Sequence, residues 1–281
     1  MESYTTKYDK YLRQKKFPLI WCQGCGDGIV LKSILRSIDK LQIPKDDIVM
    51  VSGIGCSSRT PGYVDLNTLH TTHGRAIAFA TGVKVAKPKM TVIVVTGDGD
   101  ATAIGGNHYI HAARRNIDLT VILFNNYIYG MTGGQVSPTT PVDRYASTAP
   151  FGNLEPTFNI SGLAKAAGAS FVARASVTQI HMVDKYIQMA IQKKGFSVVE
   201  VMVPCPTAFG RRNRMGNPLK LMEWLKENTI SQTKATGMTE EELEGKIITG
   251  IFVDRDKPEY TAEYQKLIDR VQATQKERAH S

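Results

Sequence analysis

Four cysteines, Cys22, Cys25, Cys56 and Cys205, carry the most pointed chemistry in this 281-residue chain. The first two form a C-x2-C pair inside the glycine-rich run WCQGCGDG. By itself that pair fits a metal clip, half of a disulfide, a redox dithiol or a phosphate loop. Cys56 stands in SGIGCSSR, and Cys205 lies between two prolines in PCP. A disulfide plus two free thiols is a poor fit to a chain read as cytosolic. A zinc ribbon needs two C-x2-C pairs, and here there is one. One pair with two distant cysteines, the last followed by proline, suits a four-thiolate 4Fe-4S cluster. A second constellation is built of oxygens. Gly97-Asp98-Gly99 and Asn125-Asn126 place Asp98 and Asn126 28 residues apart, the length of one strand–helix–strand unit. A carboxylate, an amide oxygen and a backbone carbonyl suit a hard cation such as Mg2+, which then bridges phosphates. The flanking glycines let backbone approach a diphosphate closely.

These groups need elements to bring them together. IVMVS (48–52), TVIVVT (91–96), LTVILF (119–124), FVAR (171–174) and SVVEVMV (197–203) read as buried strands. Apolar residues at helical spacing follow Ile29, run from about Gly74 to Lys87-Pro88, and recur in IGGNHYIHAARRN, 160–167 and 177–193. Solidly apolar strands alternating with helices predict an α/β fold, a mostly parallel sheet with helices on both faces. Ligands in such sheets gather at the carboxyl ends of strands. Cys56, Asp98, Asn126 and Cys205 each fall just past one. Residues 125–158 are irregular and rich in Gly, Pro and Thr, a loop long enough to have a function of its own. We expect one domain over 1–230 and a charged, helical C-terminal extension over 231–281.

The bulk numbers narrow the function classes. Hydrophobic residues make up 42% and charged residues 22%, ordinary globular composition. No apolar run approaches the roughly 20 residues of a membrane span. The polar N-terminal segment MESYTTKYDKYLRQKKFPLIW lacks a signal core, so the chain reads as cytoplasmic and free of membrane. Formal charge is +9. The densest basic cluster, Arg211, Arg212 and Arg214, has no nucleic-acid-binding signature beside it, so nucleic acid is not expected. There is no P-loop, and GCGDG lacks both the preceding strand and the spacing of a dinucleotide fingerprint.

Taken in order, WCQGCGDG, SGIGCSSR, HTTHGRAIAFATGVK, VTGDGDATAIGGNH, FNNYIYGMTGGQ and PCP resemble the β subunit of 2-oxoacid:ferredoxin oxidoreductases, from about residue 17 to about residue 230. Within that series the GDG and NN turns resemble the thiamine diphosphate-binding motif. The resemblance implies the thiamine diphosphate-binding fold and oxidative decarboxylation of a 2-oxoacid to acyl-CoA and CO2, with reduction of ferredoxin. It implies thiamine diphosphate, Mg2+ and one 4Fe-4S cluster as cofactors. Cys22, Cys25, Cys56 and Cys205 would hold the cluster. Asp98, Asn126 and the carbonyl of Ile128 would hold Mg2+. Ile54, Gly55, Cys56, Ser57, Gly99, Asp100, Gly130 and Met131 would line the cofactor, with Thr132 to Gln135 in the same wall and His73 facing it. The family takes a glutamate for the aminopyrimidine ring from an α subunit, so the chain is expected to work in a heterodimer or a dimer of heterodimers, with coenzyme A and ferredoxin. NLEPTFNISGLAKAAGASFVAR and GIFVDRDKPEY resemble the 2-oxoglutarate branch more than the pyruvate branch. Arg59 is the candidate for the distal carboxylate, its alternative being an ion pair or a contact to the cofactor's phosphates. The rival class, a basic iron–sulfur regulatory or nucleic-acid-binding protein, has no use for a Mg2+–diphosphate site.

Overall fold

IVMVS, TVIVVTG and TVILFN are apolar at successive positions because both faces of the sheet they build are covered. A computed structural model describes residues 7–280, so the opening MESYTT of the N-terminal segment lies outside the described residues. In chain order the strands are β1 (Ile48–Ser52), β2 (Asn67–His70), β3 (Thr91–Gly97), β4 (Thr120–Asn125), β5 (Ile128–Tyr129), β6 (Gln135–Val136), β7 (Phe171–Ser176), β8 (Ser197–Met202), β9 (Thr229–Ser231) and β10 (Ile247–Asp254). β5 and β6 form a small antiparallel ladder, and the others join one sheet in the order β2-β1-β3-β4-β8-β7-β10-β9. Every neighbouring pair in that sheet is parallel except β7 with β10. The four strands expected to deliver chemistry, β1, β3, β4 and β8, are therefore consecutive, with their carboxyl ends on one rim.

The helices are α1 (Asp27–Leu41), α2 (Thr60–Tyr63), α3 (Ala76–Ala86), α4 (Asp98–Thr102), α5 (Gly106–Arg115), α6 (Ile160–Ala167), α7 (Ile180–Gln192) and α8 (Pro218–Asn228). On one face α1 and α7 bury Ile34, Ile38, Val183 and Ile187 against Met50, Ile93, Ile122 and Val199. On the other, α3, α5 and α6 bury Ile77, Tyr109 and Ile160 against Val51, Val94, Val121 and Val198. Each such side chain contributes about 1.5–3 kcal/mol by burial. The strand register is thus held from both sides, which fixes the rim. Among the described residues no helix is long and apolar enough to cross a membrane.

Several elements were not visible in the residue pattern, among them α8, β9 and two longer strands of the main sheet. β2, NTLH, is a half-buried edge strand with no apolar run. Within 231–281, Ile247–Asp254 is a strand of the main sheet rather than part of a helical extension. Its register against β7 breaks between Ile251 and Val253, which blurs the alternation, and the charged run before it dominates the local composition. The final helix, Tyr260–His280, is charged and largely exposed where described.

Candidate active site

Each rim turn owes its shape to a few residues. β3 ends at Gly97, and Asp98 opens α4 with its carboxylate 4% exposed. Asp98 Oδ2 accepts hydrogen bonds from Ser137 Oγ at 2.6 Å and from Thr139 Oγ1. Burial still pushes its pKa up to about 6 against those bonds. β4 ends at Asn125, whose Nδ2 donates to the buried Glu200 and whose Oδ1 accepts from Tyr127 N. Tyr127 then takes a left-handed φ of 65°, which folds the chain back on itself. Asn126 Oδ1 accepts from Ile128 N at 3.1 Å across this bend. Asp98, Asn126 and Ile128 all line one cavity of about 200 Å3.

Asp100 serves as a clamp. Its Oδ1 accepts from Gly74 N and His73 Nδ1, both at 2.7 Å, and from Ile54 N at 3.2 Å; its Oδ2 accepts from Thr96 Oγ1. The turn after β1 and the approach to α3 are thereby tied to α4. Because His73 gives its Nδ1 proton to the carboxylate, Nε2 is the nitrogen left over, and His73 lines the cavity. Ile54, Gly55, Cys56, Ser57, Gly99, Asp100, Gly130, Met131 and Thr132 line it as well. Two of the glycines are required by contact. A Cβ on Gly99 would lie 2.3 Å from the Tyr129 ring, and one on Gly53 2.2 Å from Asp100 Oδ2.

The four cysteines are free thiols gathered beside this cavity. Cys25 N donates to Cys22 O in a tight turn, and Trp21 Nε1 donates to Cys56 O at 2.8 Å, joining the two loops. A Cβ on Gly130 would lie 3.5 Å from Cys205 Sγ and 3.6 Å from Cys56 Sγ, so both sulfurs stand side by side at this part of the cavity wall. Burial pushes the Cys56 thiol up to about 12, and the charges of Asp27, Cys205 and Cys22 add to it. Cys25 and Cys205 are raised by burial too; Cys25 feels Asp27 and Cys205, while Cys205 receives backbone N–H groups of Phe209 and Ala208 and feels Cys22. Cys25 thus feels charge at Cys205, and Cys56 and Cys205 feel charge at Cys22. Among the described residues no three His, Cys, Asp or Glu side chains close on a single point as one ion would require. In a cubane cluster each thiolate binds a different iron, a wider arrangement.

A family model for the thiamine pyrophosphate enzyme C-terminal TPP-binding domain matches residues 53–201. The 2-oxoglutarate synthase subunit KorB of Methanocaldococcus jannaschii is 54% identical over 94% of this chain and 98% of its own length. That of Methanothermobacter thermautotrophicus is 52% identical over 96% of this chain and 94% of its own length. This chain belongs to the KorB family. A solved 2-oxoglutarate:ferredoxin oxidoreductase from Magnetococcus marinus, with 2-oxoglutarate, coenzyme A and succinyl-CoA bound, superposes with a TM-score of 0.84 at 32% identity, over 96% of this chain and 92% of that one. KorB subunits belong to an oxidoreductase family, and this one carries the TPP-binding domain expected of it.

Of the cavity residues that the reading of the sequence did not single out, Asp27 is the most telling. Asp27, at the start of α1, lines the cavity, is 1% exposed, and its carboxylate oxygens have no N–H or O–H partner, only the weak Cys25 thiol beside them. Burial pushes its pKa up to about 7; Cys25 opposes this and the Asp98 charge adds to it. Two buried carboxylates that repel each other across one cavity, one of them without an N–H or O–H partner, fit a cation there. Asp27 sits in WCQGCGDG, where the cysteines draw the eye. A carboxylate directly after C-x2-C and opening a helix was the available signal. Arg59, in contrast, is no wall of this cavity. Its Nη2 lies 3.9 Å from Met131 Sδ, and its side chain lines a neighbouring cavity instead.

Proposed function

We propose that this chain is the subunit of a 2-oxoglutarate:ferredoxin oxidoreductase that carries thiamine diphosphate, Mg2+ and a 4Fe-4S cluster. It would work in the cytoplasm, where its thiols stay reduced, with an α subunit, coenzyme A and ferredoxin. The observation that carries the reading is a buried oxygen site and the thiols of Cys56 and Cys205 at the carboxyl ends of four consecutive strands, with Cys22 and Cys25 on the adjoining loop before α1. Asp98, the Asn126 amide oxygen and the Ile128 carbonyl are the groups that would hold Mg2+. Cys22, Cys25, Cys56 and Cys205 are those that would hold the cluster. Thiamine diphosphate supplies the electron sink on which a 2-oxoacid loses CO2. This chain's part is to bind and orient it. Gly99 lets the Tyr129 ring close on the backbone, Ile54 and Met131 form an apolar lip, and Asp100 holds His73 through Nδ1.

Among the described residues no glutamate lines the cavity, which supports a site completed by an α subunit. The KorB names of the relatives and the 2-oxoglutarate and succinyl-CoA of the Magnetococcus structure support the dicarboxylate over pyruvate. Arg59, beside Met131 at the cavity's edge, is the group of this chain to grip a distal carboxylate. The test is ferredoxin reduction by the assembled complex with coenzyme A and either acid. The reading expects a higher kcat/KM for 2-oxoglutarate and no turnover by the isolated chain. Preference for pyruvate, or robust turnover by the chain alone, would overturn the substrate or the divided site respectively.

A further inference from the structure

A second cavity of about 200 Å3 abuts the turn after β1, walled by Arg13, Ser58, Arg59, Pro61, Thr68 and His70. No Asp or Glu lines it. Arg13 Nη2 donates to Thr68 Oγ1 at 3.2 Å and to Leu66 O at 3.5 Å. Its backbone N donates to Tyr63 O at 2.8 Å, and among the described residues no partner is found for the guanidinium Nε and Nη1. The nearby Asp65 is bonded to Lys45 Nζ at 2.5 Å, and the Arg13 charge adds a smaller pull on its carboxyl. Ser52 Oγ spends its single proton on Ser58 O at 3.1 Å, so in its 2.9 Å contact with His70 it accepts from Nδ1 and leaves Nε2 unengaged. Ser58 is the anomaly. It is 1% exposed, and its buried hydroxyl has no partner. A buried polar group left unpaired costs free energy, so native folds seldom keep one without a use.

We propose that this cavity binds a phosphoryl group. Two guanidinium groups, an imidazole and two hydroxyls come from three separate elements: the segment before α1, the turn after β1, and β2. Donors drawn from three elements suit the divergent oxygens of a tetrahedral phosphate better than a carboxylate, which presents two oxygens in one plane. The Ser58 hydroxyl gains its missing acceptor in the same event. Arg59 stands between the two cavities, with Nη2 toward Met131, so a phosphate held here would lean on the turn that shapes the first cavity.

The test is isothermal titration of the complex of this chain with its co-purifying partner, saturated with thiamine diphosphate and Mg2+ so that the diphosphate site is filled. The probes are inorganic phosphate, adenosine 3′,5′-bisphosphate and acetate. Phosphate should bind saturably, once per chain, and acetate should not compete. Arg13→Met should weaken phosphate about 10-fold or more, the loss of a charge-assisted hydrogen bond. Gly62→Glu, which sets a carboxylate at the cavity where a Cβ meets nothing within 4 Å, should do the same if Arg13→Met fails to fold. Tighter binding of the bisphosphate assigns the site to an ester's phosphate, and weaker binding assigns it to the free ion. No saturable phosphate binding, an unchanged Kd in Gly62→Glu, or equal affinity for acetate overturns the proposal. The readout is binding rather than turnover, so failure here leaves the proposed activity standing.

Discussion

Asp98→Asn should move stability and cofactor binding in opposite directions. Without metal, Asp98 is a buried carboxylate whose pKa stands at about 6 in the folded chain against an ordinary 3.8. The sign follows from linkage. The folded state holds the proton more tightly than the unfolded chain, so stability falls as pH rises from about 4 to about 6 and stays reduced above. At about 1.4 kcal/mol per pKa unit the ionised carboxylate costs on the order of 3 kcal/mol near neutral pH. An asparagine keeps an oxygen to accept from Ser137 and Thr139 and removes the charge. It also relieves Asp27, whose pKa the Asp98 charge raises. The metal-free variant should therefore be more stable by about 1–3 kcal/mol at pH 7.5, a Tm gain of roughly 2–4 °C per kcal/mol, and no more stable at pH 4. Its Mg2+-dependent binding of thiamine diphosphate should be lost. Scanning calorimetry at the two pH values and a cofactor titration read both halves. A variant less stable at pH 7.5 that still binds the cofactor normally would refute the reasoning.

Three further outcomes are expected. Gly99→Ala drives a Cβ into the Tyr129 ring and breaks the Tyr129 Oη to Gly99 O bond, so urea titration should show a loss of about 1–3 kcal/mol; unchanged stability means the ring is not fixed there. Cys205→Ser, prepared without oxygen, should lose iron, sulfide and visible colour yet keep Mg2+-dependent cofactor binding, because the oxygen and thiol sets are separate; intact iron content would remove Cys205 from the ligands. Arg59→Met in the complex should lower the 2-oxoglutarate to pyruvate ratio of kcat/KM by about 10- to 100-fold, the worth of one charged hydrogen bond; an unmoved ratio frees Arg59 for the second cavity alone.

What could be read from the residues alone followed the physics of burial. β1, β3, β4 and β8 each carry a run of consecutive apolar residues because helices cover both faces, and that pattern is local to each strand. Their place side by side is long-range, yet the rule that parallel sheets bind at carboxyl ends already drew Cys56, Asp98, Asn126 and Cys205 together. Burial of Asp27 was out of reach for the opposite reason. It depends on the far turn after β8, where a Cβ on the adjacent Gly26 would lie 2.8 Å from Pro204 Cδ. Ser137 and Thr139, which hold Asp98, sit in a stretch with no periodicity to announce them. For Arg59, nearness in sequence to the cofactor turn says nothing about side-chain direction, and the 3-10 turn Ser57–Arg59 carries it to the cavity's edge. β10 was hidden because most of its length is only partly buried and its register is broken.

The central claim is that one rim holds thiamine diphosphate against a four-thiolate cluster. Its most direct test is the cofactor content of anaerobically purified protein, measured as iron, acid-labile sulfide, thiamine diphosphate and zinc on the same sample. The account predicts about four iron and four sulfide per chain, with one equivalent of thiamine diphosphate that leaves when Mg2+ is chelated. Stoichiometric zinc without sulfide, or a chain that never takes up thiamine diphosphate, would contradict it.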